Sequence, residues 1–431
     1  VSPVRESTKQ AEHEYEFGGP VGAAFVMLTL PVFVVLVNTA LLSPKLLEVH
    51  KHLPALEDLI EPNSVFVMFS WFGFQALLER LLPCEVGHGL PLKDGTRLPY
   101  HLNGHLAFWL TILLVLVGFP SEDSGSLRLG SAPLSWLADN YMRLLGSTIV
   151  FSLASSFALY VASFRQGTVL AEGGNSGNMV YDFFIGRELN PRCFGFDFKY
   201  FCELRPGLIG WVLLNMGMLS KQMQLRGGAP SWPMVLVNVF QGIYTWDALF
   251  YEQSVLSTMD ITTDGFGYML CFGDLVFVPF TFGLQARYLV NVPASEDPPV
   301  WYLALVSAVF VLGYSIFRGA NLTKDRFRRN KTSPQVAHLK TLKTKRGTEL
   351  IVSGWWGMAR RINYTGDLTM ALSWCLLTGF SSPVPYFYFA YLFTLLCHRA
   401  MRDDAACSAK YGDDWKTYKK MVPALFIPGV V

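Results

Sequence analysis

The sequence predicts an all-α fold, a polytopic helical bundle embedded in a membrane, on three observations. The 431 residues are 51% hydrophobic and only 16% charged, whereas soluble domains carry roughly 25% charged residues. The apolar residues gather into windows of about 18 to 25 residues, the length that a helix needs to cross a hydrocarbon layer of roughly 30 Å. These windows lack the period-two alternation of a membrane β-barrel. We therefore expect a multi-pass integral membrane protein.

Apolar windows along the chain predict about ten transmembrane helices. They cover 21–42, 65–82, 105–119, 143–164, 208–221, 232–250, 267–289, 300–317, 368–380 and 386–397. A polar stretch separates the last two windows, which are short and aromatic, from the first eight. We therefore divide the chain into a polar N-terminal segment (1–20), a transmembrane bundle (21–317), and a C-terminal part (318–431) that holds a basic loop, the last two spans and a tail.

Lysine and arginine near the span ends predict the orientation in the membrane. Between residues 318 and 346, ten basic residues oppose the single acid Asp325, so we expect this loop on the cytoplasmic side. The tail has six more basic residues, and the two spans between loop and tail return the chain to the same side. The formal net charge of +2 is too small to indicate a nucleic-acid partner. The seven scattered cysteines show no spacing typical of metal ligands.

The tail after residue 397 combines cations, acids and aromatic rings. About six helical turns hold Arg399, Arg402, Asp403, Lys410, Tyr411, Trp415 and Tyr418. A basic helix lying on anionic lipid is the common interpretation of such a segment. However, Asp403 and Asp404 interrupt the positive charge, and aromatic rings recur among the cations. This pattern favours a phosphorylated cofactor over lipid headgroups.

Two further segments carry groups that such a cofactor needs. Lys324 and Arg328 lie four residues apart, on one face of a helix, and a 2′-phosphate suits such a pair; a loop that only fixes topology would explain the charge equally well. Asn363 and Asp367 lie one turn apart at the start of an apolar span, where polar groups are costly unless they bind something. The neighbouring Trp356 has the aromatic belt as its default interpretation.

A polar cluster lies in the bundle around residues 244–274. Tyr244 and Asp247 share a helix face, and Glu252 follows. Ionisable groups at membrane depth are functional candidates, with a network of helix-packing hydrogen bonds as the alternative. The glycine-rich segment before Arg192 contains neither a Walker nor a dinucleotide-binding motif, and a packed connection between spans explains it as well.

The segments GNSGNMVYDFFIGRELNPR, ending at Arg192, and HRAMRDDAACSAKYGDDWKTY, at 398–418, resemble the sterol reductase family, which includes the membrane part of the lamin B receptor. The resemblance extends over GLPLKDGTRLPYHLNG and WWGMARRINYTGDL and covers nearly the whole chain. FFIGRELNPR is most similar to the Δ14-sterol reductases, and the Δ7 and Δ24(28) enzymes are the alternatives. Arg361 and Leu425 depart from the family pattern, so we expect no essential chemistry at these two positions.

The resemblance implies NADPH as the cofactor and a sterol from the bilayer as the substrate. It implies that Lys324 and Arg328 hold the 2′-phosphate and that Ile351 is an apolar neighbour. The rest of the cofactor would be lined by Trp356, Asn363, Tyr364, Asp403, Cys407, Lys410, Tyr411 and Tyr418. The membrane would be the endoplasmic reticulum or inner nuclear membrane in a eukaryote and the inner membrane in a bacterium.

The implied reaction reduces a C14=C15 double bond, to which hydride does not add until the alkene is protonated. Tyr244 and Asp403 are the candidate proton donors, with Arg399 orienting the donor. On the substrate side, Asp247 and Glu252 would stabilise the transient cation or relay protons.

Two other functions remain open from the residues. A membrane methyltransferase using S-adenosylmethionine has a similar tail, but the segment RINYTGD lacks the His-Pro pair of those enzymes and they have no use for a phosphate-binding pair. A sterol-binding scaffold or transporter would leave the basic and aromatic tail unexplained.

Overall fold

The computed structural model describes residues 15–41, 46–92, 95–118 and 132–429. Residues 1–14 of the predicted polar segment therefore lie outside the described residues. The same holds for Leu42 and Phe119, which end two of the predicted windows. The described chain is mostly helical, which agrees with the predicted class. Three two-stranded antiparallel hairpins are an addition that the all-α prediction did not include.

The helices of the first part of the chain are α1 (Gly19–Ala40), α2 (Leu56–Leu59), α3 (Pro62–Leu81), α4 (Gly104–Gly118), α5 (Ala132–Asp139), α6 (Tyr141–Ala162), α7 (Met179–Ile185), α8 (Phe198–Leu204) and α9 (Pro206–Leu225). The later helices are α10 (Trp232–Phe250), α11 (Met259–Thr262), α12 (Tyr268–Phe272), α13 (Val278–Thr281), α14 (Leu284–Leu289), α15 (Val300–Arg329), α16 (Trp355–Met358), α17 (Ile362–Leu376), α18 (Phe387–Tyr411) and α19 (Asp413–Met421). A π-helical turn, Gly273–Phe277, joins α12 to α13.

The strands pair as neighbours in sequence. The hairpins are β1 (Glu85–His88) with β2 (Pro99–Leu102), β3 (Arg192–Cys193) with β4 (Phe196–Asp197), and β5 (Thr341–Lys343) with β6 (Glu349–Ile351). Each hairpin forms a separate two-stranded sheet.

A helix lies at each of the ten predicted apolar windows. Within the described residues, four helical stretches are long and apolar enough to cross a membrane: Gly19–Ala40, Tyr141–Ala162, Tyr268–Leu289 and Val300–Arg329. The chain is thus an integral membrane protein of helical type, and the count of ten spans stays a prediction. The expected boundary between residues 317 and 318 falls inside α15, which is one continuous helix.

The chain forms two compact units. The first unit consists of the described residues of Val1–Lys221 together with Ile243–Gly283. One of its core clusters includes Tyr200, Ile209 and Leu249, all nearly inaccessible to solvent. The side chain of Trp211, on α9, is also fully buried.

The second unit consists of Gln222–Gly242 and Leu284–Val431. Its centre is the pair α15 and α17, which approach through glycines. A Cβ atom on Gly366 would lie 2.5 Å from the backbone nitrogen of Phe317 and 2.7 Å from the carbonyl oxygen of Gly313. Small residues let membrane helices approach this closely, so Gly313 and Gly366 set the spacing of the two helices that hold the candidate site.

Candidate functional site

The C-terminal end of α15 packs on α16 through a cation and an indole. The charge of this end predicts that it is cytoplasmic. The Nζ atom of Lys324 lies 4.4 Å from the centre of the Trp356 ring. The indole N–H of Trp356 donates a hydrogen bond of 2.9 Å to the carbonyl oxygen of Ala320, one turn earlier on α15. The buried Trp356 therefore supports the ammonium from below, and a cation–π contact of this kind stabilises a charge without neutralising it.

The start of α17 brings a guanidinium to the carboxylate of α18. The Nη2 atom of Arg361 lies 2.9 Å from Oδ2 of Asp403. The Tyr364 hydroxyl donates a long hydrogen bond of 3.5 Å to the same oxygen. On the other side, the side-chain amide of Asn363 donates to the amide oxygen of Asn321 at 3.3 Å. These contacts connect α15, α17 and α18 in one polar group.

The last residues of the chain hold Arg361 in place. The backbone N–H groups of Arg360 and Arg361 donate to the carbonyl oxygens of Ala424 and Leu425, each at 2.9 Å. Ala424 is buried. The segment after α19 thus runs back over the start of α17 and fixes its first turn.

The tail forms an aromatic stack against the third hairpin. Tyr411 and Trp415 stack at 6.3 Å between ring centres, and Trp415 and Tyr418 stack at 4.9 Å. This stack packs with Cys407 and with apolar side chains of β5 and β6. The hairpin turn is also bonded to the tail, because the N–H of Lys345 donates to Asp414 at 2.7 Å. The predicted aromatic and basic tail is therefore helical and packs against the hairpin of β5 and β6.

The charge state of the tail follows from its hydrogen bonds. Partial burial opposes ionisation of Asp404, but hydrogen bonds from the Trp415 indole at 2.9 Å and from Lys419 at 3.1 Å hold the pKa of Asp404 below its ordinary value. Burial raises the pKa of the Cys407 thiol and of the Tyr418 hydroxyl. The tail therefore presents Asp404 as an anion and Cys407 and Tyr418 as neutral groups at neutral pH.

The remaining predicted cofactor residues lie around this group. Ile351 is buried in the apolar cluster that also contains Trp356 and Ile362. Arg328 and Lys410 are exposed. Arg399 is exposed one turn before Asp403, and its charge acts on Tyr364. The structure thus brings Lys324, Trp356, Asn363, Tyr364 and Asp403 together, with the others at the margin.

The residues present fit a phosphorylated dinucleotide. The charges of Arg328, Arg361 and Asp403 all act on Lys324, so three cations face one carboxylate. The Oδ1 atom of Asn363 is buried and has no hydrogen-bond partner among the described residues, which suits an amide or amino donor of a ligand. Among the aromatic residues, Tyr411 is half-buried, whereas Trp356 and Tyr418 are buried and support the groups around them.

The first unit holds the other candidate residues. Tyr244 is half-buried on α10, with its ring edge-on to Trp211 at 6.2 Å between centres. Asp247, one turn further along, is 3% exposed. These two residues keep the shared helix face that the spacing predicted.

Glu252 is fully engaged in a network of the first unit. Its carboxylate accepts hydrogen bonds of 2.9 Å from the Tyr200 hydroxyl and from the Gly104 backbone N–H. The fully buried Arg205 lies 3.9 Å from the same carboxylate. These contacts favour the alternative interpretation for Glu252, a network that packs helices, over a role on the substrate side.

The first unit also contains an apolar cavity of about 520 Å³. Within the described part of the chain, no ionisable side chain lines it. Its polar groups are satisfied internally, since Thr111 and Thr148 donate to carbonyl oxygens of their own helices at 2.7 Å. On one side it reaches the half-exposed Leu114 of α4. A cavity of this size and chemistry accepts a rigid hydrocarbon skeleton.

Arg361 is the residue that sequence reasoning set aside. It was expected to carry no essential chemistry because it departs from the family pattern, and yet its guanidinium contacts Asp403 at the centre of the polar group. The available signal was its place three residues before Tyr364, one helical turn away from a predicted cofactor residue.

Residues 11–431 match the model of the family described as "Ergosterol biosynthesis ERG4/ERG24 family". The chain is 48% identical to Delta(14)-sterol reductase TM7SF2 of Mus musculus, over 98% of this chain and 99% of the relative. It is 45% identical to Delta(14)-sterol reductase erg24 of Schizosaccharomyces pombe, over 99% of this chain and 100% of the relative. It is also 45% identical to Delta(14)-sterol reductase LBR of Gallus gallus, over 98% of this chain and 65% of that longer relative.

Proposed function

The chain belongs to the ergosterol biosynthesis ERG4/ERG24 family, and from that premise we propose that it reduces the C14=C15 double bond of a sterol intermediate with NADPH. The resemblance to sterol reductases that the motifs indicated is confirmed by the family match and by relatives named Delta(14)-sterol reductase. The observation that carries the cofactor is the group of cations around Lys324, with Trp356 beneath it.

The cofactor residues have separate tasks in this proposal. Lys324 and Arg328 bind the 2′-phosphate, because two cations on one helix face repel each other unless an anion lies between them. Asn363 and Tyr364 provide the hydrogen-bonding groups, and the half-buried Tyr411, backed by the buried Trp415 and Tyr418, provides an aromatic ring. When bound, NADPH supplies the hydride that C14 accepts.

The apolar cavity of the first unit supports a sterol substrate. Its lining is apolar, its few hydroxyl groups donate to their own helices, and it reaches the surface of an apolar helix. A sterol dissolves in lipid before it meets the protein, so a lipid-facing entrance is the route that its chemistry requires. We propose that this cavity admits the sterol body.

Protonation of the alkene is the step that needs an acid of the chain. A proton on C15 leaves a tertiary cation at C14, which is neutralised by the hydride. Asp403 forms an ion pair with Arg361, and a carboxylate in that form has no proton to give. Tyr244 carries a phenolic proton within an apolar span, so we propose Tyr244 as the donor and assign Asp403 to the cofactor group, with Arg399 adjusting its charge.

The test is product formation by the purified full chain with defined sterols. We expect NADPH-dependent reduction of a sterol with a C14=C15 bond and at least tenfold slower turnover of sterols with C7=C8 or C24=C28 bonds. Reduction of a Δ7 or Δ24(28) sterol in preference would assign the chain to another reductase. Transfer of a methyl group from S-adenosylmethionine, without reduction of any sterol, would overturn the proposal.

A further inference from the structure

The ion pair of Arg361 and Asp403 lies inside the candidate cofactor site, and the described structure gives it a fixed geometry. Two backbone hydrogen bonds of 2.9 Å, from Arg360 and Arg361 to the end of the chain, hold the first turn of α17. The Arg361 side chain is 16% exposed. Its guanidinium lies 5.8 Å from the centre of the Tyr364 ring, so it is confined between a carboxylate and an aromatic face.

The charge of Arg361 acts on several of the predicted cofactor residues. Its charge influences Lys324, Tyr364, Cys407 and Tyr418. Its contacts with Asp403 at 2.9 Å and with the Tyr364 ring at 5.8 Å place the guanidinium inside the candidate site. Lys324 and Arg328 alone were expected to hold the phosphate.

The charges of this group do not balance. Lys324, Arg328 and Arg361 face Asp403, while the neighbouring Asp404 is occupied by Lys419 and Trp415. The next cation on α15, Arg329, is neutralised by Asp325 at 3.0 Å. Cations therefore outnumber carboxylates in this group, and a phosphate monoester carries about two negative charges near neutral pH.

We propose that Arg361 binds the 2′-phosphate of the cofactor together with Lys324, and that Asp403 is the positioning residue that aims its guanidinium. The proposal rests on NADPH being the cofactor. A guanidinium has five N–H donors in a planar fork. The pair with Asp403 uses the Nη2 corner, so the other donors are free to meet phosphate oxygens while the ion pair stays intact.

The experiment measures binding of nucleotide fragments to the full chain in detergent by titration calorimetry. The probes are 2′,5′-ADP, which carries the 2′-phosphate, ADP, which carries a pyrophosphate, and 5′-AMP, which carries neither. We expect Arg361→Gln to weaken 2′,5′-ADP by about ten- to a hundredfold, since a hydrogen bond to a charged group contributes roughly 1.5–3 kcal/mol. Binding of 5′-AMP should change by less than about twofold. Arg329→Gln, which removes an exposed and already paired charge, is the matched control.

Two more variants separate recognition from folding. Arg361→Lys keeps the charge without the fork, so it should restore part of the affinity for 2′,5′-ADP. Between pH 5.5 and pH 8, Arg361→His should lose affinity for 2′,5′-ADP more steeply than the parent chain, because imidazole is charged only below about pH 6.5, whereas a guanidinium stays charged throughout this range. A merely structural residue would not produce this pH profile.

Each outcome decides one question. Equal losses of 2′,5′-ADP and 5′-AMP in Arg361→Gln would overturn the assignment to the 2′-phosphate. A loss confined to ADP would move Arg361 to the pyrophosphate and overturn it as well. If the parent chain bound no 2′,5′-ADP at all, the NADPH proposal itself would fall. If the parent bound it and Arg361→Gln did too with equal affinity, only this inference would fall.

Discussion

The ammonium of Lys324 lies over the indole ring of Trp356, 4.4 Å from its centre, and within the described residues no acidic side chain forms a salt bridge with it. The ring itself is anchored by its N–H to the helix that carries the lysine. The cation is thus oriented by packing and not by a carboxylate. This is the arrangement expected of a residue that binds an anion.

The first prediction concerns cofactor choice. Lys324→Ala and Arg328→Ala should weaken NADPH by about ten- to a hundredfold and NADH by far less, because only NADPH carries the extra phosphate. Equilibrium binding of both cofactors measures this. Arg329→Ala, on the same helix end but paired with Asp325, should change neither affinity. Equal losses for both cofactors would remove the pair from phosphate recognition.

The second prediction concerns the proton donor. Tyr244→Phe removes one hydroxyl and little volume, so NADPH affinity should stay normal while turnover falls by about 10²–10⁴-fold. Asp403→Asn should lower both, because Asp403 belongs to the cofactor group. Sterol product formation and NADPH affinity are measured for each variant. Near-normal turnover of Tyr244→Phe would exclude this tyrosine and return the donor role to Asp403 or Asp247.

The local pattern of the sequence predicts several residues of the polar group that the structure brings together. The spacing of four residues predicts that Lys324 and Arg328 share a helix face. The mixture of cations and aromatic rings singles out the tail. Arg361 could not be found in the same way, because its partner Asp403 lies 42 positions later and only the packing of α17 on α18 brings them together. Glu252 shows the converse limit, since a lone sequence cannot tell that Tyr200 and Gly104 satisfy its carboxylate.

The third prediction concerns the spacing of α15 and α17. Gly366→Ala places a Cβ atom against the backbone of α15, and such overpacking costs about 1–3 kcal/mol. A lower melting temperature in detergent and weaker NADPH binding should follow. Gly73→Ala, on α3 where nothing lies within 4 Å, is the matched control and should melt at the parent temperature or slightly above it. Equal melting of the two variants would show that the helices adjust freely.

The fourth prediction concerns pH. The folded-state pKa of Asp404 is lowered, so its contribution to stability is present above the unfolded value, about 3.9, and is lost as pH falls through the folded value. Asp404→Asn should therefore melt lower than the parent at pH 7, by about 1 kcal/mol of unfolding free energy for this partly exposed group, and the difference should shrink towards pH 3. Asp413→Asn is the control and should have a much smaller effect, because the pair of Asp413 with Lys416 is fully exposed and screened by solvent. A difference that is constant with pH would contradict the role of the charge.

The fifth prediction concerns the apolar cavity. Leu213→Trp fills part of it, so the KM for sterol should rise about tenfold while NADPH affinity is unchanged, because roughly 1.4 kcal/mol of lost binding is a factor of ten. Steady-state kinetics with a Δ14 sterol measures this. Leu113→Trp, on the exposed face of α4, is the control. An unchanged KM in Leu213→Trp would place the sterol elsewhere.

Helix α15 is unbroken, so the proposed phosphate-binding residues stand on the same helix as a candidate membrane span. Thirty residues at 1.5 Å each give about 45 Å, and the hydrocarbon layer is only roughly 30 Å thick. The helix is therefore longer than the layer is thick, and we expect the end that carries Lys324 and Arg328 to project from the membrane as part of the same continuous helix. A change in bilayer thickness would then tilt or shift the whole of α15. If the proposed cofactor site is correct, we expect cofactor affinity to depend on the lipid composition of the bilayer.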